Sequence, residues 1–494
     1  MKTNKLRIVE VRKLHFLIIF ISFSMALFQL IWNRSLWYDE AMLANNIISK
    51  SFIELLFPLD DNQVAPILYL FLTKLASLIV PKSEIGLRLV PFLFYCFTIF
   101  LFYKTLLLLF KKELTITFCL SLFLFNSSLI YYSSEVKQYT TDLFVAILLI
   151  FTLLKSISEK KIVILQLSLF GSLSIYLSNI TPIILLSLGI YTLIIYKKHF
   201  YGNKQIFYSI SMLFFFWLLN FVFYFLCFIY NHPTKDFMQN YWSFAFLPAN
   251  PFNSDFYNFI VSKFEIIFTD LLHYSYIGYL LLFVFLITLI RLFKGKFYLE
   301  LVLFFLPIII HLVLSACAMY PFEHRLILYL IPYFIIIIGF SLELSDCFIK
   351  THSKNSSNVL WQATIPTLFL LYSLYIRPLP YKNDNIKRLI EYVMENKRND
   401  HSVYIYHGAI PAFNYYKNSG IIEIKGQFTY GNKYSENISQ KYFDEIVLIN
   451  KPFWIIFSQD NYKEEKKIIQ TLKNKGFDFS KNFNIHRSST YLFE

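Results

Sequence analysis

Charged residues are scarce in this sequence, where Asp, Glu, Lys and Arg make up only 16% of 494 residues. Soluble domains carry about 25% charged residues and about 45–50% apolar ones. Here the apolar fraction reaches 56% and the aromatic fraction 20%, mostly as 56 Phe and 36 Tyr. The composition therefore excludes a water-soluble globular protein and predicts a polytopic membrane protein.

Glycine and cysteine are also few, with 12 and 5 residues. Transporters commonly have Gly- or Pro-broken spans at mid-membrane and two related halves. The scarcity of glycine and the lack of an evident repeat therefore argue against a transporter. The cysteines form no CxxC motif and lie mostly in or beside apolar runs, so they predict neither a zinc site nor a disulfide framework. The sequence has no G-x-G-x-x-G motif and no P-loop.

The net charge of +14 comes from Lys and Arg clusters that fall mostly between apolar runs. Such clusters are typical of cytoplasmic loops of membrane proteins, and they do not form the contiguous basic stripe of a nucleic-acid-binding protein. We therefore expect no nucleic-acid partner. The N-terminal segment, residues 1–15, is rich in Lys and Arg and is predicted to remain in the cytoplasm.

Residues 65–80 decide how the rest of the chain is threaded, because they could cross the membrane or lie flat in its outer interface. Only the interfacial arrangement places the basic clusters at 111–112, 155–161 and 197–204 on the cytoplasmic side. We therefore expect an interfacial helix here, and about eleven spans of about 20 apolar residues. The predicted spans are residues 14–32, 87–109, 114–132, 141–155, 162–178, 182–196, 206–230, 276–293, 298–316, 326–345 and 359–376.

The C-terminal part has a different, soluble composition. The segments IKRLIEYVMENKRN and EEKKIIQTLKNKG have helical periodicity, whereas VYIYHG, PFWIIFSQ and STYLF are typical of strands. The sequence thus predicts an all-α transmembrane domain over residues 1–378, whose first outer loop covers 33–86, and a small α/β domain over 379–494. With this threading the α/β domain lies outside the cytoplasm.

Four groups of polar residues fall on the outer face in this arrangement. They are Tyr38, Asp39 and Glu40 in WYDE, Gln63 in NQVAP followed by Arg88 at the next span, Glu135 to Asp142 in EVKQYTTD, and His324 and Arg325 in YPFEHR. In the third group, Glu135, Gln138 or Tyr139, and Asp142 recur at the spacing of one helix face. Such a stripe at the start of a span is expected to face water or protein, because charge facing lipid costs several kcal/mol.

Cations accompany these acidic residues on the same face, namely Arg88, Lys137, His324 and Arg325. Arg offers planar bidentate contacts to a phosphate and Lys a point charge, so the set predicts a phosphate or diphosphate site at the membrane surface. Each Arg alone would also suit a side chain that snorkels at a helix end. A nearby carboxylate could take the proton of an acceptor hydroxyl that attacks a sugar carbon. Asp39 and Glu40 alone would equally suit a helix N-terminus.

Three segments occur in the order WYDEAMLANNI, NQVAPILYLFLTKL and SEIGLRLVPFLF. In order and spacing they resemble the N-terminal part of the GT-C membrane glycosyltransferases. The similarity is to the family-39-like group, which includes protein O-mannosyltransferases and lipid A aminoarabinose transferases. It covers roughly residues 10–180. It implies the GT-C fold, with helices along the membrane in the first outer loop, and a donor sugar carried on polyprenyl phosphate.

The resemblance also implies roles for individual residues. Asp39 corresponds to the catalytic base, with Glu40 as its neighbour, and Asp142 to a second acidic residue at the outer end of a later span. Lys137, with Glu135 and Gln138, occupies the loop before it. Arg88 matches the Arg of the family's "RLP" stretch. Where this chain has Gln63, the family often carries Lys or His, with an acidic metal ligand nearby, so a bound divalent cation is left open.

Together these observations favour an inverting glycosyltransferase that transfers a hexose or pentose from polyprenyl phosphate to an acceptor hydroxyl at the outer face of a bacterial inner membrane. Asp39 and Glu40 are the expected catalytic pair. Lys137, Arg88, Arg325 and His324 are expected to bind the donor phosphate. Glu135, Gln138, Tyr139, Asp142, Tyr38 and Gln63 are expected to bind substrate. The acceptor could be a lipid, a glycan or a protein. Two alternatives are a flippase or transporter of lipid-linked sugar, and a polymerase or ligase of lipid-linked glycans.

Overall fold

The computed structural model describes residues 2–159, 164–200, 204–272, 275–345, 357–434, 438–449, 451–458 and 462–494. The basic clusters at 155–161 and 197–204 lie partly outside these residues. The chain forms two compact units. The first unit contains Met1–Gln29, Val64–Tyr69 and Val90–Leu379, and the second contains Leu30–Gln63, Leu70–Leu89 and Pro380–Glu494.

The regular elements follow one another along the chain. The helices are α1 Lys2–Ile31, α2 Tyr38–Ser49, α3 Ile67–Ile79, α4 Glu84–Leu109, α5 Glu113–Leu124, α6 Ser127–Tyr132, α7 Tyr139–Ser158, α8 Ile164–Leu177, α9 Thr181–Phe200, α10 Lys204–Tyr224, α11 Lys235–Tyr241, α12 Ser254–Ile266, α13 Ser275–Lys294, α14 Tyr298–Phe304, α15 Leu306–Ala316, α16 Ile331–Glu343, α17 Ser357–Ile376, α18 Ile386–Asn396, α19 Ile410–Ser419, α20 Ile438–Ile446 and α21 Tyr462–Asn474. The strands are β1 Ser402–Ile405, β2 Phe428–Tyr430, β3 Phe453–Ser458, β4 Phe479–Ile485 and β5 Ser488–Phe493.

Six helical stretches are long and apolar enough to cross a membrane, and α14 with α15 makes a seventh if the pair is one span bent by 47°. The six are Glu10–Ile31, Glu84–Leu109, Tyr139–Ser158, Lys204–Ile229, Tyr276–Lys294 and His324–Glu343. Four further predicted spans are shorter apolar helices, at Glu113–Leu124, Leu165–Leu177, Thr181–Lys197 and Gln362–Ile376. The predicted helical membrane protein is confirmed, and the number of about eleven spans stays a prediction.

Helix α3 has 13 residues. At 1.5 Å per residue it is about 20 Å long, which is shorter than the hydrocarbon core of about 30 Å. Both the sequence and the structure therefore indicate that this helix is too short to cross a membrane as a straight span. Its predicted position in the outer interface stays a prediction.

Polar side chains connect helices inside the first unit. The Ser22 hydroxyl donates a hydrogen bond to the Leu124 carbonyl at 2.8 Å and contacts the Tyr95 hydroxyl at 3.2 Å. His15 Nε2 contacts the Thr117 hydroxyl at 2.8 Å. Side-chain hydrogen bonds of this kind hold helices together in lipid, where the hydrophobic effect between helices is lost. They join α1 to α4 and α5 at three points.

The C-terminal part of the second unit forms a five-stranded sheet in the order β2-β1-β3-β5-β4. Strand β1 runs parallel to β2 and β3, and β5 runs antiparallel to β3 and β4. β3 is buried on both faces, as its unbroken apolar sequence predicts. The chain thus has a small C-terminal sheet with helices, and the division into domains at residue 379 stays a prediction.

The sequence pattern accounts for the helices of this sheet domain. Helix α18 buries Ile386, Leu389, Ile390 and Val393, which recur at the spacing of one helix face. Helix α21 is followed by Gly476, whose φ of +82° places it in the left-handed region that terminates helices. Both features agree with the predicted periodicity and helix end.

Candidate active site

Asp39 and Glu40 lie in the first turn of α2, where the helix dipole favours negative charge. The preceding residue, Trp37, has extended backbone angles and marks the start of the helix. Because consecutive helical residues point about 100° apart, the two carboxylates face different surroundings. Glu40 is fully buried, whereas Asp39 is only partly buried.

Glu40 forms a buried ion pair with Arg88. Arg88 Nε and Nη2 donate to the two carboxylate oxygens at 3.1 and 2.9 Å. The same guanidinium donates to the carbonyl of Arg34 at 2.6 Å and to that of Ser35 at 3.4 Å. Arg34 Nη2 lies 3.5 Å from the Glu40 carboxylate. The structure thus brings together two predicted site residues, the neighbour of the expected base and an expected phosphate ligand.

The start of α4 carries a second ion pair of the same unit. Lys387 Nζ lies 3.0 Å from Glu84 Oε1, and Asn33 Nδ2 donates to the other carboxylate oxygen at 2.9 Å. Glu84 is one helical turn before Arg88, so these two side chains lie on the same face at the start of α4. The segment that leads into α2 is therefore bound to α4 at two positions, Glu84 and Arg88.

Tyr38 and Gln63 were expected to bind substrate near Asp39. Tyr38 is the first residue of α2 and is partly exposed. Gln63 Nε2 donates to the Met42 sulfur at 3.5 Å and to the Asp61 carbonyl at 3.4 Å. Because Met42 lies three residues after Asp39 on the helix, the structure places Gln63 within about one turn of the expected base.

The expected helical stripe of Glu135, Gln138 or Tyr139, and Asp142 needs a correction. Helix α7 begins at Tyr139, and Glu135 lies in the turn between α6 and α7. The Ser133 and Ser134 hydroxyls donate to the carbonyls of Ile130 and Tyr131, which ends α6. Helical spacing therefore relates Tyr139 to Asp142 but does not extend back to Glu135.

The turn nevertheless buries its charged residues at the start of a span. Glu135 and Lys137 are both buried, and the Lys137 amide donates to the Glu135 carbonyl at 2.7 Å. Asp142 is also buried and accepts a hydrogen bond of 2.6 Å from the Ser178 hydroxyl, which follows α8. Buried charge at membrane depth is costly and is typical of functional sites.

Arg325 and His324 approach the same helix start. The Arg325 guanidinium lies over the rings of Tyr139 and Trp242, 5.8 and 5.7 Å from their centres. The His324 ring lies 6.4 Å from that of Tyr132, which in turn packs edge-on against Tyr139 at 5.3 Å. Within the first unit, the structure thus brings Arg325 and His324 next to the aromatic side chains at the start of α7.

Sequence reasoning missed several residues at this site. The Arg377 guanidinium lies 4.5 Å from the centre of the Tyr131 ring, and Lys263 forms an ion pair with Glu323 next to His324. Arg377 directly follows the last apolar run, and this position at the end of a span is the signal that could have found it. Lys263 lies on α12, in the long connection between α10 and α13, and no local sequence pattern there indicates a site.

A metal ion was left open by the sequence. Among the described residues, no group of three or more His, Cys, Asp or Glu side chains is arranged to hold one.

Two solved structures share this fold over nearly the whole chain. The apo structure of ArnT from Cupriavidus metallidurans aligns with a TM-score of 0.54 at 10% identity, covering 99% of this chain and 98% of that chain. The structure of the same protein bound to undecaprenyl phosphate aligns with a TM-score of 0.52 at 10% identity, covering 98% and 97%. No protein-family model and no curated protein matches this sequence. The chain therefore shares the overall fold of these ArnT structures.

Proposed function

We propose that this protein is a membrane glycosyltransferase that moves a sugar from polyprenyl phosphate to an acceptor hydroxyl, with inversion at the transferred carbon. The observation that carries the proposal is the fold, which is shared over nearly the whole chain with ArnT, a lipid A aminoarabinose transferase. One of those ArnT structures holds undecaprenyl phosphate, which supports a polyprenyl lipid as the partner.

Asp39 is the proposed base. Its carboxylate is partly buried in the first turn of α2 and is flanked by a Glu40 that Arg88 holds in place. Asp39 takes the proton of the acceptor hydroxyl as that oxygen attacks the anomeric carbon. The bond from this carbon to the phosphate oxygen breaks in the same step, and the phosphate leaves on its lipid. A single displacement inverts the configuration of the carbon.

The leaving phosphate needs cations more than it needs a general acid, because charge neutralisation makes phosphate a good leaving group. Arg325 and Lys137 are the proposed phosphate ligands, together with His324 and Arg377. Arg88 was expected in the same role. Its bonds to Glu40 and to two carbonyls support a positioning role instead, and direct contact with the phosphate stays a prediction.

The remaining predicted residues are proposed to bind substrate. Asp142, oriented by Ser178, and Glu135 are suited to hydrogen-bond sugar or acceptor hydroxyls. Gln138 and Tyr139 stand at the same helix start, whereas Tyr38 and Gln63 belong to the surroundings of Asp39. The proposed location is a bacterial inner membrane, with the N-terminus in the cytoplasm and the sheet domain outside.

Mass spectrometry of cell-envelope glycolipids and glycans in a deletion strain tests the proposal. If the protein is a glycosyltransferase, the deletion strain should lose one sugar from one acceptor. The wild-type gene should restore that sugar, and the Asp39→Asn gene should not. A flippase predicts accumulation of lipid-linked sugar with several acceptors affected. A polymerase or ligase predicts loss of a ladder of repeats or of a whole glycan. Restoration of the missing sugar by the Asp39→Asn gene would contradict the proposed base.

A further inference from the structure

The segment that leads into the Asp39 helix is bonded to the sheet domain at the far end of the chain. The Tyr416 hydroxyl accepts a hydrogen bond from the Leu36 amide at 3.0 Å and donates one to the Ser35 hydroxyl oxygen at 3.2 Å. All three residues are buried, and Tyr416 has no exposed surface. One phenol therefore holds two consecutive residues of the segment.

Lys387 makes two further bonds to the same region. Its backbone amide donates to the Ser35 hydroxyl oxygen at 3.2 Å. Its ammonium group lies 3.0 Å from Glu84, to which Asn33 also donates. Lys387 lies in the first turn of α18, so a helix of the sheet domain is bonded both to the segment before α2 and to the start of α4.

Helix α2 itself is attached to the sheet domain through α19. Asn45, which is partly buried on α2, donates from Nδ2 to the Pro411 carbonyl at 2.9 Å. Pro411 lies in the first turn of α19, where its fixed φ suits a helix start, and α19 ends at Gly420 with a φ of +65°. Tyr416 therefore lies on a helix that has a start signal and a stop signal in its own sequence.

Burial raises the pKa of the Tyr416 phenol well above its usual value, and the nearby Glu84 carboxylate raises it further. The phenol is therefore neutral over the whole working range of pH. The neutral phenol can therefore donate its hydrogen bond to Ser35 and accept the one from the Leu36 amide at the same time.

We propose that Tyr416 and Lys387 are positioning residues for Asp39, so that the sheet domain is part of the catalytic machinery. This inference rests on the proposed function. Asp39 follows Leu36 by three residues and lies in the first turn of α2, and the end turn of a helix frays unless the chain that leads into it is held. The bonds to Ser35 and Leu36 hold the residues just before α2, and the ion pair between Arg88 and Glu40 holds the first turn of α2 itself.

The expected effect follows from how strongly catalysis depends on placement. A displacement of about 1 Å can lower a rate by about 100-fold without loss of binding. Tyr416→Phe removes one hydroxyl and keeps the ring that fills the core. We expect kcat to fall about 10-fold to 100-fold, while KM for the lipid-linked donor changes less than about 2-fold.

The neighbouring Tyr415 supplies a matched control. It is equally buried on the same helix, and in the described part of the chain its hydroxyl makes no hydrogen bond to residues 33–40. Tyr415→Phe removes the same atom and is expected to leave kcat within about 2-fold of wild type. Lys387→Gln is expected to lower kcat as Tyr416→Phe does, and Lys387→Arg to restore it, because Arg keeps the ion pair with Glu84.

The test measures sugar transfer and hydrogen–deuterium exchange on the intact protein in proteoliposomes. Support requires a lower kcat in Tyr416→Phe than in Tyr415→Phe, an unchanged KM, and faster exchange of residues 33–40 in Tyr416→Phe alone. Equal kcat in the two variants, or equal exchange, overturns the inference. Failure of the proposed function has a different signature. The wild-type protein then transfers no sugar, whereas the exchange comparison still reports on the bonds of Tyr416.

Discussion

Arg88 and Glu40 form a bidentate ion pair inside the protein, with nitrogen–oxygen distances of 3.1 and 2.9 Å and almost no exposed surface on either side chain. They are 48 positions apart in the sequence. Glu40 is the direct neighbour of the proposed base. A buried charge stripped of its partner is costly, so the pair couples the stability of the unit to the placement of Asp39.

The first prediction concerns this pair. Glu40→Gln and Arg88→Met are each expected to cost about 3–5 kcal/mol, because each leaves a buried charge without its partner. The double variant is expected to cost less than the sum, because neither charge is then left buried alone. Unfolding of the purified protein in detergent, followed as a double-mutant cycle, checks this. Additive losses would show that the two side chains do not depend on one another.

The second prediction concerns the proposed phosphate ligands of the first unit. Arg325→Gln is expected to weaken binding of undecaprenyl phosphate about 10-fold, because charge-assisted hydrogen bonds to an ion are worth about 1.5–3 kcal/mol. Arg325→Lys is expected to retain part of the affinity, since it keeps the charge and loses the planar fork. Arg291→Gln, at an exposed position near the end of α13, is the control. Binding measured by native mass spectrometry should be weaker in Arg325→Gln alone, and equal weakening in both Gln variants would exclude a specific contact.

The third prediction concerns Asp142 and the hydroxyl of Ser178, 2.6 Å apart. If Ser178 orients the carboxylate toward a substrate hydroxyl, Ser178→Ala should lower kcat/KM for the acceptor about 10-fold. Asp142→Asn should lower it further, and the two changes together should act like Asp142→Asn alone. Steady-state rates at varied acceptor concentration measure this. An unaltered Ser178→Ala enzyme would assign the hydrogen bond to helix packing.

The fourth prediction concerns the pH dependence of the sheet domain. His407 contacts the Tyr442 hydroxyl at 2.6 Å. Burial, together with the charge of Lys433, lowers the pKa of its ring to about 4 from 6.5. As pH falls from 6.5 to 4, the unfolded chain binds a proton that the folded ring does not, so stability falls over this range.

The part of this loss due to His407 is about 1–2 kcal/mol, reduced from the full shift because the ring is partly exposed. His407→Gln removes the titration and keeps a hydrogen-bonding side chain. Thermal unfolding midpoints between pH 7.5 and 4.5 should therefore fall less in His407→Gln than in wild type. Parallel curves for the two proteins would assign the pH dependence to other groups.

The membrane helices and the sheet domain could be predicted from the sequence because their signals are local. Long apolar runs identify spans, and the spacing of Ile386, Leu389, Ile390 and Val393 identifies the buried face of α18. The short strand β2 and the polar strand β4 were missed, because β2 has three residues and β4 buries no side chain fully. Both β2 and β4 form because they pair with neighbouring strands of the sheet, and their own sequences carry no clear strand pattern.

The candidate site was less predictable because its partners are distant in sequence. The motif around Asp39 was visible, but nothing local connects Arg88 with Glu40 or Tyr416 with Ser35. Glu135 was placed on a helix because its spacing allowed it, and the hydroxyls of Ser133 and Ser134 ended that helix first. Serine competes with a helix by bonding to nearby carbonyls, and periodicity alone does not detect this competition.

The central claim is that Asp39 removes the proton of the acceptor hydroxyl. Single-turnover transfer of sugar from a polyprenyl-phosphate donor, comparing wild type with Asp39→Asn in proteoliposomes, tests it most directly. Asn preserves the size of the side chain and cannot accept the proton, so we predict that transfer falls by about 100-fold or more while donor binding is retained. Transfer at the wild-type rate by a folded Asp39→Asn protein would contradict the account.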